Sequence, residues 1–357
     1  MKPKIKITRT PNSKIKDIDF DTIPLGTTFT DHMFICEYAN GTWNNPRIEP
    51  LAMIPTHPAA MALHYGQAIF EGMKATTGQH NMPLLFRPEE NAKRFNHSAA
   101  RMGMPLVPEE LFVEAVKQIV TIEHHWIPPQ EGSALYLRPF MYADEPFIGM
   151  RAATNYKFIV ICSPAGPFFT KKIRLYAETE YIRAADGGTG EAKAAGNYAA
   201  AILPTEKAKA KGFDQVLWLD ADEHKYIQEV GTMNIFFKVE GKFITPATSG
   251  SILKGITRDS VITLLKDKGF EVEERAITID EVITYFKEGI LEEAFGTGTA
   301  VAIAMIEAIG YKDQLITLSD ENPVSRDVKK SLDEIKSQKR EDPFGWIVPV
   351  TIKEIVG

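Results

Sequence analysis

A single lysine stands among small residues in the second half of the chain. Lys193 follows the glycine-rich residues 187–190 and precedes Ala194, Ala195 and Gly196, and Tyr198 comes five residues later. Small neighbours let a flat ring approach the amine, and a partly desolvated lysine is a good nucleophile towards a carbonyl. Taken alone, this pattern fits a solvated lysine beside a flexible loop better than a reactive one.

A carboxylate closes an apolar segment about 35 residues further on. Glu229 is followed by Gly231, Thr232 and Asn234, which together are typical of a turn bearing hydroxyl and amide groups. A carboxylate placed against a pyridine nitrogen keeps that nitrogen protonated, and the ring can then accept electrons. An exposed glutamate in a turn is an equally good interpretation of this segment alone.

Two further segments have the composition of anion sites. Residues 255–257 enter a helix, with Thr257 as its expected N-cap, and free amides at a helix start bind phosphate. Residues 295–300 join two glycines to hydroxyl side chains and can expose consecutive amides. They do not form a Walker A loop, because no Gly-Lys-Ser/Thr follows. Plain helix capping and a tight turn are the respective alternatives.

Aromatic and cationic side chains recur beside apolar segments in the first half. An arginine there can clamp a phosphate or a carboxylate, and the rings can wall an apolar pocket. A packed aromatic core with surface arginines is the alternative. The candidates are Tyr65, Phe70, Lys74, Arg94, Tyr136 and Arg138.

The elements that must position these residues alternate between strands and helices. In the first half we predict a hairpin turning at Asn40-Gly41, helices over 88–102 and from 108, and strands over 134–142 and 156–162. In the second half we predict strands over 173–179 and 213–219, a helix over 196–211 and a hairpin turning at Glu240-Gly241. A further helix over 257–268 is expected to end at Gly269.

A cluster of proline and glycine residues at 163–167 is the best candidate for a domain boundary. We therefore predict a smaller N-terminal domain over 1–162, an interdomain loop over 163–172 and a larger domain over 173–357. A length of 357 residues exceeds what one hydrophobic core usually spans. The mixture of elements is not a clean βαβ alternation, so α+β as well as α/β elements are expected.

Composition narrows the class of partner. With a net charge of −6 the chain lacks the basic face that nucleic-acid binding needs. Cys36 and Cys162 form no zinc-type cluster, so no metal site is predicted and a reduced compartment is the simpler interpretation. The basic start lacks the apolar run of a signal peptide, and no stretch is apolar enough to span a membrane. We predict a cytoplasmic protein.

Taken together, the segments around Lys193, Glu229, Thr257 and Thr299 resemble those of the branched-chain amino acid aminotransferases. These belong to the fold type IV group of pyridoxal 5'-phosphate (PLP) enzymes. The resemblance runs from about residue 29 to about residue 346. It implies a two-domain architecture of the D-amino acid aminotransferase type, PLP as cofactor, and a homodimer in which the partner completes each pocket.

The resemblance also assigns roles around the cofactor. Lys193 would form the Schiff base and then move the proton between the substrate and the cofactor. Glu229 would pair with the pyridinium nitrogen, and Tyr198 would hydrogen-bond the cofactor hydroxyl. The phosphate would be held by Arg94, Ile256, Thr257 and Thr299.

For the substrate, the resemblance implies carboxylate binding at Thr299 and Ala300, with Thr232 nearby. An apolar pocket would be walled by Phe29, Tyr65, Phe70 and Tyr136, with Arg138 and Lys74 near the site. The expected reaction is reversible ping-pong transamination of L-leucine, L-isoleucine or L-valine with 2-oxoglutarate. The same pocket must admit glutamate, which requires an arginine or polar groups at its edge.

One departure from the family pattern concerns regulation. Mammalian members carry a redox CxxC after the Gly-Thr-Gly segment, whereas this chain has Val301 and Ala304 there. Regulation through that motif is therefore not expected. The rival functions are another fold type IV activity, such as a D-amino acid aminotransferase or an aminodeoxychorismate lyase, and a non-catalytic anion-binding protein.

Overall fold

The computed structural model of the chain describes residues 3–23, 26–166 and 171–352. The chain divides into two compact units, here called the first unit (Met1–Phe168 with Glu334–Gly357) and the second unit (Phe169–Asp333). Residues 334–357, expected in the C-terminal domain, thus belong to the first unit. The domain ranges inferred from the sequence otherwise stay a prediction.

The first unit is built on one mixed sheet. Its helices are α1 (Met61–Tyr65), α2 (Pro88–Arg101) and α3 (Glu109–Glu123), and the last residues of α8 (Pro323–Lys336) belong to it. Its strands are β1 (Lys6–Ile7), β2 (His32–Ala39), β3 (Thr42–Pro50), β4 (Ala68–Phe70), β5 (Met73–Thr77), β6 (Pro83–Phe86), β7 (Ala134–Ala143), β8 (Tyr156–Ala165) and β18 (Ile347–Pro349).

The strand order in the described part of this sheet is β1-β3-β2-β8-β7-β5-β6-β18, and β4 pairs with β7. Antiparallel pairing of β18 with β6 is what joins the C-terminal residues to the first unit. The apolar faces of α2 and α3 pack on the sheet, where Phe95 and Phe112 meet Phe158. This buried aromatic cluster is the centre of the core.

The predicted interdomain loop begins later than expected. Residues 163–165 belong to β8, where Pro164 pairs with Leu135 of β7. The pairing of β2 with β8 ends at Val160, although the Cys162 carbonyl still accepts from the Thr30 amide. Among the described strands Pro164 pairs only with β7, so its missing N–H is tolerated there. Residues 167–170 of the predicted loop lie outside the described residues.

The second unit also contains one mixed sheet. Its strands are β9 (Ile173–Ala177), β10 (Gln215–Leu219), β11 (Ile227–Val230), β12 (Asn234–Val239), β13 (Lys242–Thr245), β14 (Val272–Glu274), β15 (Leu291–Gly298), β16 (Ala302–Tyr311) and β17 (Gln314–Thr317). Its helices are α4 (Ala195–Ala200), α5 (Ile202–Ala210), α6 (Ile256–Asp267) and α7 (Ile279–Lys287), and α8 begins in it. The order among the described strands is β11-β10-β9-β16-β15-β12-β13-β14, with β17 on β16.

Two predictions for the second unit need correction. The single helix expected over 196–211 is two helices, because Pro204 lacks an N–H and its ring conflicts with the carbonyl four residues earlier. Thr257 is not the N-cap of α6: Gly255 occupies that position and Thr257 lies within the first turn. A side chain at Gly255 would collide with Asn234, which explains why the cap is a glycine.

Other local predictions are confirmed. Asn40 and Gly41 both have positive φ, at 54° and 77°, as a two-residue turn between β2 and β3 requires. Glu240 and Gly241 do the same between β12 and β13. Gly269, with φ of 85°, ends α6. Within the described residues, every helix is too short or too polar to cross a membrane.

Candidate functional site

Lys193 lies on a loop that hydrogen bonds hold in place. It is the residue before Ala194, the N-cap of α4, and its Nζ donates to the Tyr198 hydroxyl at 2.6 Å. Asn197 fixes the loop by donating to the carbonyls of Thr189, at 2.7 Å, and Ala192, at 2.9 Å. The lysine amine and the tyrosine hydroxyl are therefore in direct contact, which agrees with their five-residue spacing in the sequence.

Glu229 is a buried carboxylate near the end of β11. It is 3% exposed, and its Oε1 accepts the Leu253 amide at 2.7 Å. The guanidinium of Arg183 lies 3.2 Å from the same oxygen, and that arginine is itself largely buried. Donors of this kind suit an ionised carboxylate. Glu229 can thus present a fixed negative charge inside the second unit.

Arg183 also joins the lysine loop to the segment that follows β13. Its Nη2 donates to the carbonyl of Gly190 at 3.3 Å and to that of Ser251. The amide of Glu191 in turn donates to the Gly250 carbonyl at 3.0 Å. Residues 250–253 therefore connect the lysine loop with Glu229, so these two predicted sites are brought together.

The same segment leads into the start of α6. Ile256 and Thr257 form its first turn, and among the described residues no side chain caps the amides there. Thr257 is 5% exposed. A helix start with uncapped amides favours an anion, through its N–H groups and the helix dipole. Two of the predicted phosphate residues, Ile256 and Thr257, are therefore in a suitable environment.

The Gly-Thr-Gly segment differs from the expected loop. Residues 296–298 lie in β15, paired with β12 and β16, and the turn begins at Thr299 and Ala300. Thr232 lies in the turn between β11 and β12. Met233 of that turn packs so closely that a Cβ on Gly298 would lie 3.1 Å from it. The two turns that carry Thr232, Thr299 and Ala300 are thus neighbours.

In the first unit, Arg94 of α2 is committed to a buried ion pair. Its Nε and Nη2 each donate to the Glu71 carboxylate at 2.8 Å. Glu71 is fully buried and also accepts from Asn91 Nδ2 at 2.7 Å. This bidentate contact fixes the plane of the guanidinium. An oriented arginine of this kind is a good phosphate ligand.

Arg138 is stacked on two of the predicted pocket rings. Its guanidinium carbon lies 4.6 Å from the Phe70 ring centre and 5.3 Å from that of Tyr136. Its Nη2 also donates to the Tyr136 hydroxyl at 2.9 Å. Lys74 pairs with Tyr136 across β5 and β7. The structure therefore brings Phe70, Lys74, Tyr136 and Arg138 together on one face of the sheet.

Two predicted pocket residues are more exposed. Phe29 immediately precedes the buried Thr30, and Tyr65 ends α1; they expose 38% and 41% of their surface.

Gly72 lies under Tyr136, and a Cβ there would come within 2.3 Å of the tyrosine hydroxyl. The glycine thus explains how the Tyr136 ring lies so close to the backbone after Phe70.

Sequence reasoning missed two buried charged residues. Arg183 and Glu71 received no role, although they contact Glu229 and Arg94 respectively. Glu71 could have been suspected, because it follows an apolar strand and a buried glutamate needs a cation. Arg183 gave no such signal: it stands ten residues before Lys193 in a loop without periodicity.

These arrangements agree with comparisons to known proteins. The family model for class IV amino-transferases matches residues 68–309, which is more than half of the chain. The chain belongs to this family. Class IV aminotransferases are PLP-dependent enzymes, and the branched-chain members are among the relatives of this one.

Individual relatives of this class IV aminotransferase cover nearly its whole length. It is 47% identical to "Branched-chain-amino-acid aminotransferase 2" of Bacillus subtilis (strain 168), over 98% of each chain. The solved branched-chain amino acid aminotransferase of Escherichia coli is 25% identical, with a TM-score of 0.75, covering 90% of this chain and 99% of that one. The branched-chain aminotransferase of Thermoproteus uzoniensis, solved with norvaline, is 25% identical, with a TM-score of 0.73 over 89% and 100%.

The likeness to these structures confirms the expected fold class. The mixed α/β architecture of this class IV aminotransferase is that of fold type IV, as the resemblance implied. The residues that carried the resemblance lie at the ends of β11 and β15 and at the starts of α4 and α6. The individual roles of those residues are taken up below.

Proposed function

We propose that this chain is a PLP-dependent aminotransferase that moves the amino group between L-leucine, L-isoleucine or L-valine and 2-oxoglutarate, reversibly. Two kinds of evidence support the proposal: the full-length similarity to enzymes named for this activity, and the site geometry. The single observation that carries it is the 2.6 Å hydrogen bond from Lys193 Nζ to Tyr198, on a loop joined to Glu229.

The residues of the second unit fit the cofactor. A ring bearing a nitrogen, a hydroxyl, an aldehyde and a phosphate needs a carboxylate, a hydroxyl, an amine and an anion site. Glu229, Tyr198, Lys193 and the uncapped start of α6 supply these groups. When bound, PLP supplies an electron sink for the charge that develops at the substrate Cα.

Lys193 is the catalytic base in this proposal. Its amine would hold the cofactor by condensing with the aldehyde, with loss of water. Once the substrate amino group has displaced it, the free amine would take the proton from the substrate Cα and deliver it to the cofactor carbon that carried the aldehyde. Tyr198 holds the amine at hydrogen-bond distance before the substrate arrives. The hydroxyl then orients the ring by bonding to its oxygen.

Glu229 holds a proton on the ring nitrogen. Because the Arg183 guanidinium lies 3.2 Å from this carboxylate and the Leu253 amide donates to it, its negative charge is held in place before the cofactor enters. Phosphate binding is assigned to Ile256, Thr257 and Thr299, and to Arg94 by its resemblance to the family arginine. Placing the phosphate at a helix start uses the N–H groups and the dipole together.

The substrate residues are assigned from the resemblance and supported by local contacts. The α-carboxylate is assigned to the amides of Thr299 and Ala300, with Thr232 on the neighbouring turn. The walls of the apolar pocket are assigned to Phe29, Tyr65, Phe70 and Tyr136. Arg138, whose guanidinium lies over the Phe70 and Tyr136 rings, is assigned to the second carboxylate of glutamate and 2-oxoglutarate.

We propose a homodimer as the active form. In the first unit, Phe147, Ile148 and Met150 expose 37, 72 and 91% of their surface within four residues. Such a run of large apolar side chains is unusual on a free surface and suits burial by a second copy. Light scattering should give a molar mass twice that of the chain, and a monomer would overturn this assignment.

A cytoplasmic location belongs to the same proposal. Cys36 and Cys162 are both buried and unpaired, which suits a compartment that keeps thiols reduced. Fractionation of the source cells with an antibody to the chain tests this. Recovery outside the cytoplasm would contradict it.

The deciding experiment follows single half-reactions by visible absorbance. The purified protein is mixed with L-leucine alone and with D-alanine alone, and Lys193→Ala is treated in the same way. Conversion by L-leucine only, absent in the variant, is the expected result. Conversion by D-alanine only would favour a D-amino acid aminotransferase, and a colourless protein would favour a non-catalytic anion-binding role.

Lys207→Ala is the matched control for Lys193→Ala. Lys207 lies in the same unit and also donates to a tyrosine at 2.6 Å, but this pair, with Tyr181, is at the surface. It should convert L-leucine as the unaltered protein does. Borohydride reduction followed by peptide mass analysis should place the PLP increment on Lys193, and an adduct on another lysine would contradict the assignment.

A further inference from the structure

The turn between β11 and β12 is flanked by two side chains that contact one peptide group. Val230 and Met233 exchange backbone hydrogen bonds of 2.9 and 2.8 Å across it, and Gly231 has a φ of 56°. Glu229 and Asn234 flank this turn directly. The bridge between Val230 and Met233 is isolated, since β11 otherwise pairs with β10 and β12 with β15. Even so, the side chains of Glu229 and Asn234 contact a common target.

That target is the peptide group of Leu253. Its N–H donates to Glu229 Oε1 at 2.7 Å, and its carbonyl accepts from Asn234 Nδ2 at 2.9 Å. Both hydrogen bonds are at least partly buried, and Asn234 is 5% exposed. The peptide is thus held at both ends by the two residues that flank a single turn.

The held peptide lies just before the start of α6. Only Lys254 and Gly255 separate Leu253 from Ile256 and Thr257, the residues assigned to the phosphate. Gly255 fits tightly against the same asparagine, since a Cβ there would lie 2.0 Å from Asn234 Oδ1. The amide of Asn234 therefore contacts this segment twice: by a hydrogen bond at Leu253 and by close packing at Gly255.

We infer that Asn234 is a positioning residue for the cofactor phosphate, acting through the Leu253 peptide and Gly255. Glu229 holds the other end of that peptide, so the two residues that flank one turn position both the carboxylate assigned to the ring nitrogen and the amides assigned to the phosphate. The spacing between these two binding groups is then fixed by contacts within the protein before the cofactor binds. This inference rests on the proposed function and adds a residue to which that function gave no role.

The test compares the affinity of the full-length apoprotein for PLP and for pyridoxal, which lacks the phosphate. Binding is followed by the visible absorbance of the Lys193 adduct. Asn234→Ala loses one buried hydrogen bond and leaves the phosphate amides mispositioned. It should therefore bind PLP roughly 10- to 100-fold more weakly than the unaltered protein. Binding of pyridoxal should change by about threefold or less, because no phosphate contact is involved.

Thr245→Val is the matched control. Thr245 is fully buried and donates to the carbonyl of Ile235, the neighbour of Asn234, at 2.7 Å. The substitution removes a hydrogen bond of the same kind from the same sheet without touching residues 253–257. The ratio of PLP to pyridoxal affinity should stay at the unaltered value. A similar fall of that ratio in both variants would overturn the inference, because general loosening would then explain it.

A double-substitution cycle with Gly255→Ala gives an independent outcome. Gly255 has φ of −70°, so alanine is allowed by the backbone, and the new methyl collides with Asn234 and touches Arg258 Cβ at 3.2 Å. Gly255→Ala should weaken PLP binding strongly alone and much less beside Asn234→Ala, which removes the collision. Additive losses would overturn the inference. If Asn234→Ala does not fold, Asn234→Ser serves in both comparisons.

Failure of the inference and failure of the proposed function are distinguishable. If the unaltered protein forms no adduct with PLP at Lys193, the proposed function itself is wrong. If it does, and Asn234→Ala keeps the original ratio of PLP to pyridoxal affinity, only the positioning role is wrong.

Discussion

The two units carry their candidate residues in different ways. In the second unit, Lys193 and Glu229 are held by hydrogen bonds to nearby residues, and the helix start beside them is uncapped. In the first unit, Arg94 is bound to Glu71, while Phe29 and Tyr65 are partly exposed. On the proposed assignment, the cofactor residues of the second unit are held in advance by protein contacts, whereas two of the residues assigned to the side-chain pocket are partly exposed.

The contrast follows from what each group must do. A cofactor that stays bound through every turnover gains from fixed partners, since these cost no reorganisation during the reaction. A pocket that alternates between leucine and glutamate must accept both an apolar chain and a carboxylate. Exposed rings and a stacked arginine suit that task better than a sealed apolar cavity would.

The largest expected effect separates the two roles of Arg94. Arg94→Gln removes the guanidinium that donates twice to the buried Glu71 carboxylate, which should lower the free energy of unfolding by about 3–5 kcal/mol. Adding Glu71→Gln removes that charge and should restore most of the stability. PLP affinity should stay low in both variants. Urea unfolding and PLP titration measure the two quantities, and recovery of both in the double variant would limit Arg94 to a structural role.

The next effect concerns the charge that faces the ring nitrogen. Glu229→Gln keeps the shape of the side chain but removes its charge, so it should slow the L-leucine half-reaction roughly 100-fold or more while the Lys193 adduct still forms. Stopped-flow absorbance measures the rate. Glu223→Gln, an exposed substitution in the same unit, should react normally. An unchanged rate in Glu229→Gln would remove the carboxylate from the mechanism.

A smaller and more selective effect is expected at Arg138. Arg138→Met keeps apolar contact with Phe70 and Tyr136 but loses the charged donor. The 2-oxoglutarate half-reaction should slow by about 10- to 100-fold, as for the loss of a charged hydrogen bond, and the L-leucine half-reaction by about twofold or less. Arg9→Met, at an exposed position, should change neither. An equal loss of rate in both half-reactions would show that Arg138 shapes the pocket without binding the second carboxylate.

The smallest effect is expected from the thiols. Burial, reinforced by the charge of Glu37, raises the pKa of Cys36 to about 12, and burial raises the pKa of Cys162 well above its ordinary value. At pH 8 only about one Cys36 thiol in ten thousand is then ionised. Native protein should show almost no reaction with a thiol reagent and should react at both cysteines in denaturant. Rapid labelling of the native protein, with loss of activity, would contradict this.

Local structure was largely predictable from the sequence. Asn40-Gly41 and Glu240-Gly241 mark turns because only certain residues tolerate positive φ, and Pro88 opens α2 because a missing N–H costs nothing at a helix start. The helix break near Pro204 was predictable by the same rule but was overlooked. The extension of β8 to Ala165 was not, since it depends on which strand pairs with it.

The types of residue in the candidate site were likewise open to sequence reasoning. A lysine among small residues, a carboxylate before a glycine turn and two glycine-rich segments are visible as patterns, and their order carried the resemblance to a family. Those patterns depend on residue chemistry and on short-range backbone rules, which act between neighbours in the chain.

Tertiary structure alone decided which buried charges meet. The partners of Glu229, Arg94 and Leu253 are Arg183, Glu71 and Asn234, separated from them by between 19 and 46 residues along the chain. Nothing in local propensity selects such a pair, because each contact exists only after strands have paired and a loop has closed. The sequence therefore determined what chemistry was available, and the fold determined how its groups are oriented and held.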